Sequence, residues 1–282
     1  MSGTGQTQWE TARGGKRRRG YPGWVHQLPI TRAIVSDFGG FIWRADVGAL
    51  VTAAPDVDTW AEYTDVATWG SVAQSSAAAK PHLDTTDPDG PLLDFNAATT
   101  QRLLTDKVSA TRPITPGALS VFDWMIADTG GRVILIFKQK RAQGGTLFNT
   151  LYGNVDGLVC NQAAGLVAFG MYRGSVFTWQ IITASLLTLD QLAMVDCHFS
   201  KPNGASVQID DNTPATTTYS GAGVPASVGD FYISGDQALA AVIGVSADIS
   251  AEDGEALRWE LSRAFPIAGT YPISVGNPRL IL

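Results

Sequence analysis

Ala205-Ser-Val-Gln-Ile209 followed by Asp210-Asp211-Asn212 is the stretch on which the fold turns. Ala205, Val207 and Ile209 alternate with Ser206 and Gln208, the two-residue period that sends apolar side chains to one face of a strand and polar ones to the other. Asp210-Asp211-Asn212 then supplies residues that tolerate the left-handed backbone of a tight turn. A half-buried strand running into a turn is the unit from which an all-β domain is built.

The same unit recurs on both sides of it. Candidate strands are Leu92–Phe95, Arg132–Lys138, Thr146–Tyr152, Leu158–Phe169, Ser175–Thr183, Leu192–Phe199, Phe231–Ser234 and Leu239–Ser246, separated by Gly, Pro, Asn and Asp clusters. Short strands with turn signals between them predict a sandwich or barrel. One helix interrupts the pattern. Ser250-Ala-Glu-Asp253 is a capping-box-like start, Leu257, Leu261 and Phe265 repeat at four-residue spacing, and Pro266 stops it.

Upstream of Phe41 the chain reads differently. Residues 1–24 are polar, Gly-rich and basic, with no period, and predict an arm that is disordered in isolation. Its aromatic residues Trp9, Tyr21 and Trp24, beside the run Lys16-Arg17-Arg18-Arg19, suit an anchor that packs once a partner is present. Residues 25–40 read as a connector, with Pro29 and Gly39-Gly40 marking its ends. The expected organisation is an extended arm and connector over 1–40, a β-domain over 41–270 and a tail over 271–282. Removal of residues 1–38 is then expected to leave a folded domain.

The totals set bounds. At 282 residues, with 45% hydrophobic and 16% charged side chains, the chain has enough apolar material for a substantial core. Its formal charge of −6 is unevenly spread: residues 1–40 hold six basic and two acidic groups, so the remainder carries −10. A cationic arm on an acidic body fits an anionic docking surface for the arm, while the body repels nucleic acid. No apolar run approaches the ~20 residues that span a bilayer, so no membrane insertion is expected. No apolar stretch follows the basic cluster as in a secretory signal peptide, so export would need a route such as lysis. Cys160 and Cys197 are too few for a disulfide scaffold; two buried free thiols, or one bridge between neighbouring strands, are the readings.

The order of the pieces resembles a known family. Phe41-Ile-Trp-Arg-Ala-Asp46, Val57-Asp-Thr-Trp60, Lys80-Pro81 and Asp89-Gly-Pro-Leu-Leu-Asp-Phe-Asn96 are similar to the opening of concanavalin A-like/laminin-G-like domains, which often occur in bacteriophage structural proteins and secreted bacterial proteins. Val207-Gln-Ile-Asp-Asp211, Phe231-Tyr-Ile-Ser-Gly235 and Ala241–Ser246 with the helix after it resemble the family's later hairpin, strand and closing helix. The resemblance covers about residues 41–268 and implies a two-sheet jelly-roll sandwich. Asn96-Ala and Asp211-Asn stand where the family has Asp-Gly. Both pairs tolerate tight turns, but a Ca2+ site inherited through those aspartates loses its support.

Catalytic patterns are sparse. Glycosidases of this fold place two carboxyls ~5–5.5 Å apart on alternating strand positions. The acidic cluster here, Glu252, Asp253 and Glu255, lies instead at a helix start, where acids favour the macrodipole. His26, His82 and His198 are far apart, and Asp196 and His198 share a strand face without an assigned nucleophile. No G-x-S-x-G elbow occurs, and Gly14-Gly-Lys16 lacks the strand and hydroxyl of a phosphate loop. Aromatics matter because sugars stack on them. Trp43 and Trp60 match family core positions, whereas Trp69 and Trp124, beside Gly70 and Asp123, are the better candidates for a glycan or partner contact.

The resemblance and the arm together imply a non-enzymatic virion protein of a tailed bacteriophage: a capsid decoration, spike or tail-associated component. It would bind other virion proteins through its arm, display a lectin-like domain toward host cell-surface glycans, and form a homo-oligomer, with no catalytic residue and no cofactor. A free carbohydrate-binding module or bacterial adhesin is the alternative.

Overall fold

Gln237–Val245 is buried at all nine of its positions, and Gly130–Gln139 at nine of its ten. Strands buried on both faces read as continuous apolar runs instead of alternating ones, which is why Val133–Phe137 and Ala238–Ile243 carry so few polar residues. In the computed structural model these two runs pair side by side at the centre of a sheet with layers above and below it. The structure describes residues 27–60, 72–74, 76–96, 101, 103–104, 130–140, 145–149, 157–173, 176–200, 204–218, 232–273 and 279.

The strands in chain order are β1 (Gly40–Arg44), β2 (Ala49–Ala53), β3 (Asp56–Trp60), β4 (Val72–Ala73), β5 (His82–Asp84), β6 (Leu92–Phe95), β7 (Leu103–Leu104), β8 (Gly130–Gln139), β9 (Gly145–Asn149), β10 (Gly157–Ala163), β11 (Leu166–Arg173), β12 (Val176–Ile182), β13 (Leu192–Ser200), β14 (Gly204–Ile209), β15 (Ala215–Thr217), β16 (Tyr232–Ile233) and β17 (Gln237–Val245). The first sheet runs β1-β17-β8-β13-β14-β15, with β6 and then β5 continuing its edge beyond the other half of β17. The second runs β12-β11-β10-β9-β16-β7-β4-β3-β2. One pair, Asp56 with His82, ties the two sheets at their margin. Every described pairing is antiparallel. The chain forms the all-β, two-sheet jelly-roll sandwich that its sequence implies.

Between the sheets lies one core, to which β8 gives Val133, Leu135 and Phe137, β13 gives Val195, Cys197 and Phe199, and the second sheet gives Phe148, Leu158, Cys160, Phe169 and Met171. Trp43 and Trp60 are fully buried in it, their rings 6.2 Å apart, and Phe41 stacks on Trp43 at 4.1 Å. A second core covers the outer face of the first sheet, where Ile42, Ile134, Ile136, Met194, Ile243 and Val245 meet two helices.

One of those helices is the expected one. α2 (Ala251–Ala264) follows α1 (Pro29–Phe38) in chain order; the Ser250 hydroxyl caps α2 by accepting the Asp253 amide at 3.1 Å, and Leu257 and Leu261 point inward. α1 corrects the sequence reading, in which this segment is an extended connector. Pro29 stands at the first helical position, Ile30, Ile34 and Val35 are buried, and Gly39 ends the helix at φ 77°. The four buried side chains Leu28, Ile30, Ile34 and Val35 each carry about 1.5–3 kcal/mol of burial, so α1 belongs to the folded body. Removing residues 1–38 would strip it away.

A second difference concerns Leu158–Phe169, read as one strand and found as two. β10 and β11 form a hairpin in which Ala163 pairs with Leu166 and the two-residue turn Ala164-Gly165 has φ 50° and 82°. Two left-handed residues match the twist of the flanking strands, but an alanine in that role is no turn signal in a sequence. The tail also joins the body: Tyr271 and Ile273 pack against the second core, and Arg279 bonds both Asp37 and Asp253. Among the described residues no helix is long and apolar enough to cross a membrane.

Candidate functional site

The outer face of the first sheet is apolar only where the helices cover it. β13 sends Ala193, Val195, Cys197 and Phe199 into the sandwich core, which leaves Asp196, His198 and Ser200 on the other face. β14 does the same with Ser206 and Gln208. Beyond the reach of α2, this polar half of the face opens into a depression of about 580 Å3 lined by His198, Ser200, Gly204, Ala205, Ser206 and the run Thr216-Thr217-Thr218 of β15 and its end.

Asp248 fixes two of these lining side chains. It lies between the end of β17 and the capping Ser250 of α2, with Oδ1 2.8 Å from His198 Nε2 and Oδ2 accepting the Ser200 hydroxyl at 2.5 Å. His198 and Asp248 retain 22% and 18% of their side-chain exposure, enough to meet a ligand while held in place. Serine and histidine each face the carboxylate and not one another. The Ser200 proton is committed to Asp248, so the set lacks the nucleophile-to-base hydrogen bond of acyl-transfer chemistry. It presents hydroxyls, an imidazole edge and a carboxylate whose oxygens each keep a second lone pair.

Behind the depression the polar face is sealed. Arg132 Nε lies 3.1 Å from Asp196 Oδ1, and Arg258 of α2 lies 4.0 Å from Asp196 Oδ2 while bonding the Gln208 side chain and the Asp210 carbonyl. Gly254 lets α2 descend here, because a Cβ on it would fall 1.9 Å from Arg132 Nη1. Asp210, at φ 49°, accepts the Met194 amide at 2.7 Å and a long bond from the Tyr271 hydroxyl. Burial pushes its carboxyl up to about 6, against the pull of those bonds and of Arg258.

At the far end of β8 a second charged group is structural. Lys138, 2% exposed, bonds Asp87 and Asp89 at 2.8 Å each, and Lys140 bonds Asp84 and Asp87. Burial works against Asp87, but the Lys138 and Asp89 hydrogen bonds outweigh it and hold the carboxyl below the ordinary range. For Asp84, burial is likewise outweighed, by Thr86 and Lys140. The acids of this loop are answered by ammonium groups. Among the described residues no three His, Cys, Asp or Glu side chains converge as a metal site.

The residues singled out from sequence fare differently. Trp9, Lys16, Arg17, Arg18, Arg19, Tyr21, Trp24, Trp69 and Trp124 all lie outside the described residues. Glu252, Asp253 and Glu255 start α2, where Asp253 holds Arg279. Asp196 and His198 do share a face, but Asp196 serves the arginines and His198 turns to Asp248, fifty residues away. Asp248 carried no sequence signal; its only hint was a place just before the helix cap.

No family model and no curated protein matches the sequence. Among solved structures the chain is similar in fold to the binding domain of botulinum neurotoxin DC in complex with SialylT, at 9% identity and a TM-score of 0.50 over 72% of this chain and 49% of that one. A structure of botulinum neurotoxin type C concerned with two ganglioside molecules matches at 8% identity and TM-score 0.47, over 73% and 51%. Mouse laminin alpha1 chain, domains LG4-5, matches at 16% and 0.33, over 40% and 33%. The chain spans about half the length of the botulinum structures. At such identities the likeness is one of fold.

Proposed function

We propose that the chain is a non-enzymatic, lectin-like binding domain that takes carbohydrate in the depression lined by His198 and Ser200, the two side chains that Asp248 holds. The observation that carries this reading is the bridging carboxylate: Asp248 fixes His198 and Ser200, two side chains that line the depression together with serine and threonine hydroxyls. Preorganised donors and acceptors that need no reordering suit sugar hydroxyls. The carboxylate disfavours an anionic sugar directly upon it, so a neutral glycan is the better fit. The sandwich it shares with the binding domain of the toxin in complex with SialylT supports carbohydrate as the ligand class by analogy of fold, while the preference for a neutral one rests on Asp248 alone. Binding here is by hydrogen bonding, since among the described residues the lining holds no Phe, Tyr or Trp.

The setting we infer is a bacteriophage virion, with the basic, aromatic arm as the anchor to neighbouring virion proteins, in a homo-oligomeric arrangement. Its support is the composition of residues 1–24 and the family resemblance of the sequence. A glycan microarray probed with the full chain tests the first part: neutral oligosaccharides are expected among the binders, and a blank array contradicts the reading. Mass spectrometry of density-purified particles tests the second, by copy number against the major shell protein. Stoichiometric presence supports a virion component, and absence refutes it.

A further inference from the structure

Cys160 stands in β10 of the second sheet and Cys197 in β13 of the first, and their sulfurs are 3.6 Å apart across the middle of the sandwich. Both are free and buried. Their registers are fixed by neighbours on either side: Cys160 is opposite Phe148 and Phe169, and Cys197 opposite Val133 and Val207. Among the described residues neither thiol lines the depression beside Asp248, and each faces the other's sulfur. Burial, then the contact with Cys160, push the Cys197 thiol well above its ordinary range, so the reduced pair is inert in the closed core.

We propose that Cys160 and Cys197 are a latent sheet-to-sheet disulfide, a dithiol when the chain folds in a reducing medium and a cross-link when it folds in the presence of a small-molecule disulfide. One cysteine thiolate attacks the small disulfide, breaking its S–S bond and releasing one thiol. The second cysteine then attacks the protein sulfur of the mixed disulfide, forming the Cys160–Cys197 bond and releasing the second thiol. Two protein thiols are oxidised, one disulfide is reduced to two thiols, and the protons of the cysteines end on the released sulfurs. The 3.6 Å gap must close to the ~2.0 Å of an S–S bond, a movement that side-chain rotation and a slight approach of the sheets supply. Sandwiches of the immunoglobulin type hold an inter-sheet disulfide at a comparable place.

The bond would tie residues 37 apart in sequence and fasten the two sheets to each other. Loop closure of that length raises the melting temperature by on the order of 10 °C in a domain of this size. The test is to unfold the full chain and refold it in either reduced or oxidised glutathione, then compare intact mass, free thiols titrated in denaturant and melting temperature. Oxidative refolding is expected to give an unadducted chain lighter by about 2 Da, with no free thiol and a higher melting temperature. Cys160→Ala and Cys197→Ala should gain nothing from the oxidant. Retention of both thiols, glutathione adducts on both cysteines, or a cross-linked chain that melts no higher would each overturn the proposal.

Discussion

Glu260 on α2 accepts both the amide and the hydroxyl of Thr31 on α1, each at 2.7 Å, and its other oxygen accepts the Ile30 amide at 2.9 Å. One buried carboxylate from the end of the chain thus caps a helix near its beginning. α1 has no capping side chain of its own, because Leu28 stands where a serine or aspartate normally would. The negative charge faces the positive end of the α1 dipole. Burial nevertheless raises the Glu260 carboxyl above its ordinary range, against the pull of the three hydrogen bonds.

Glu260→Ala is therefore expected to lower stability by about 2–4 kcal/mol, since it leaves three donors unpaired in a buried place. Glu260→Gln, which keeps an acceptor, should lose less. Urea unfolding monitored by fluorescence measures both. A loss below about 0.5 kcal/mol for the alanine variant would show that α1 is capped by water instead.

Two truncations separate the arm from the body. A chain beginning at residue 27 keeps Leu28 and α1 and should unfold cooperatively with nearly the full midpoint. A chain beginning at residue 39 uncovers Ile42, Ile243 and Val245 and should be aggregated or strongly destabilised. Equal stability of the two would mean that α1 contributes nothing to the fold.

The two helices show what a sequence can and cannot reveal. α2 was legible because Ser250, the Leu257/Leu261 spacing and Pro266 all act locally. α1 carried comparable signals, with Pro29 at its start, Ile30 and Ile34 a turn apart and Gly39 at its end. Its cap, however, comes from Glu260, 229 residues from Thr31, and no local reading supplies that. The sandwich was legible from Ala205–Ile209 and its repeats because strand alternation is also local. The Asp248 site was not: His198 and Ser200 converge on an aspartate that only the register of β17 beside β8, and β8 beside β13, brings to them.

Asp210 gives the protein a defined acid response. Its carboxyl is raised to about 6, chiefly by burial. A carboxyl with a raised folded-state pKa contributes stability that is complete below its unfolded value and lost as pH climbs through about 6. Asp210→Asn keeps an acceptor for the Met194 amide and tolerates the left-handed backbone. It should be more stable than the wild type by about 1–2 kcal/mol at pH 7, the gap closing by pH 4. Melting temperatures across that range are the check, and a gap that widens on acidification would refute the assignment.

Lys138→Met preserves the stem of the side chain but removes the cation that Asp87 and Asp89 share, leaving Asp87 with Lys140. The expected loss is about 1–3 kcal/mol, the cost of removing a charged hydrogen-bond partner from a buried carboxylate that keeps Lys140. It should shrink below pH 4 as Asp87, whose folded-state pKa the Lys138 bond helps hold below the ordinary range, protonates. Chemical denaturation at pH 7 and at pH 3.5 measures the difference, and a variant as stable as the wild type at pH 7 would mean that the pair is solvated.

Calorimetric titration with the tightest microarray ligand tests most directly whether the depression that Asp248 organises through His198 and Ser200 binds carbohydrate. Asp248→Ala should weaken binding at least tenfold, about 1.4 kcal/mol, with the unfolding midpoint of the variant close to that of the wild type. Unchanged affinity in a folded Asp248→Ala protein would place any glycan site elsewhere on the molecule.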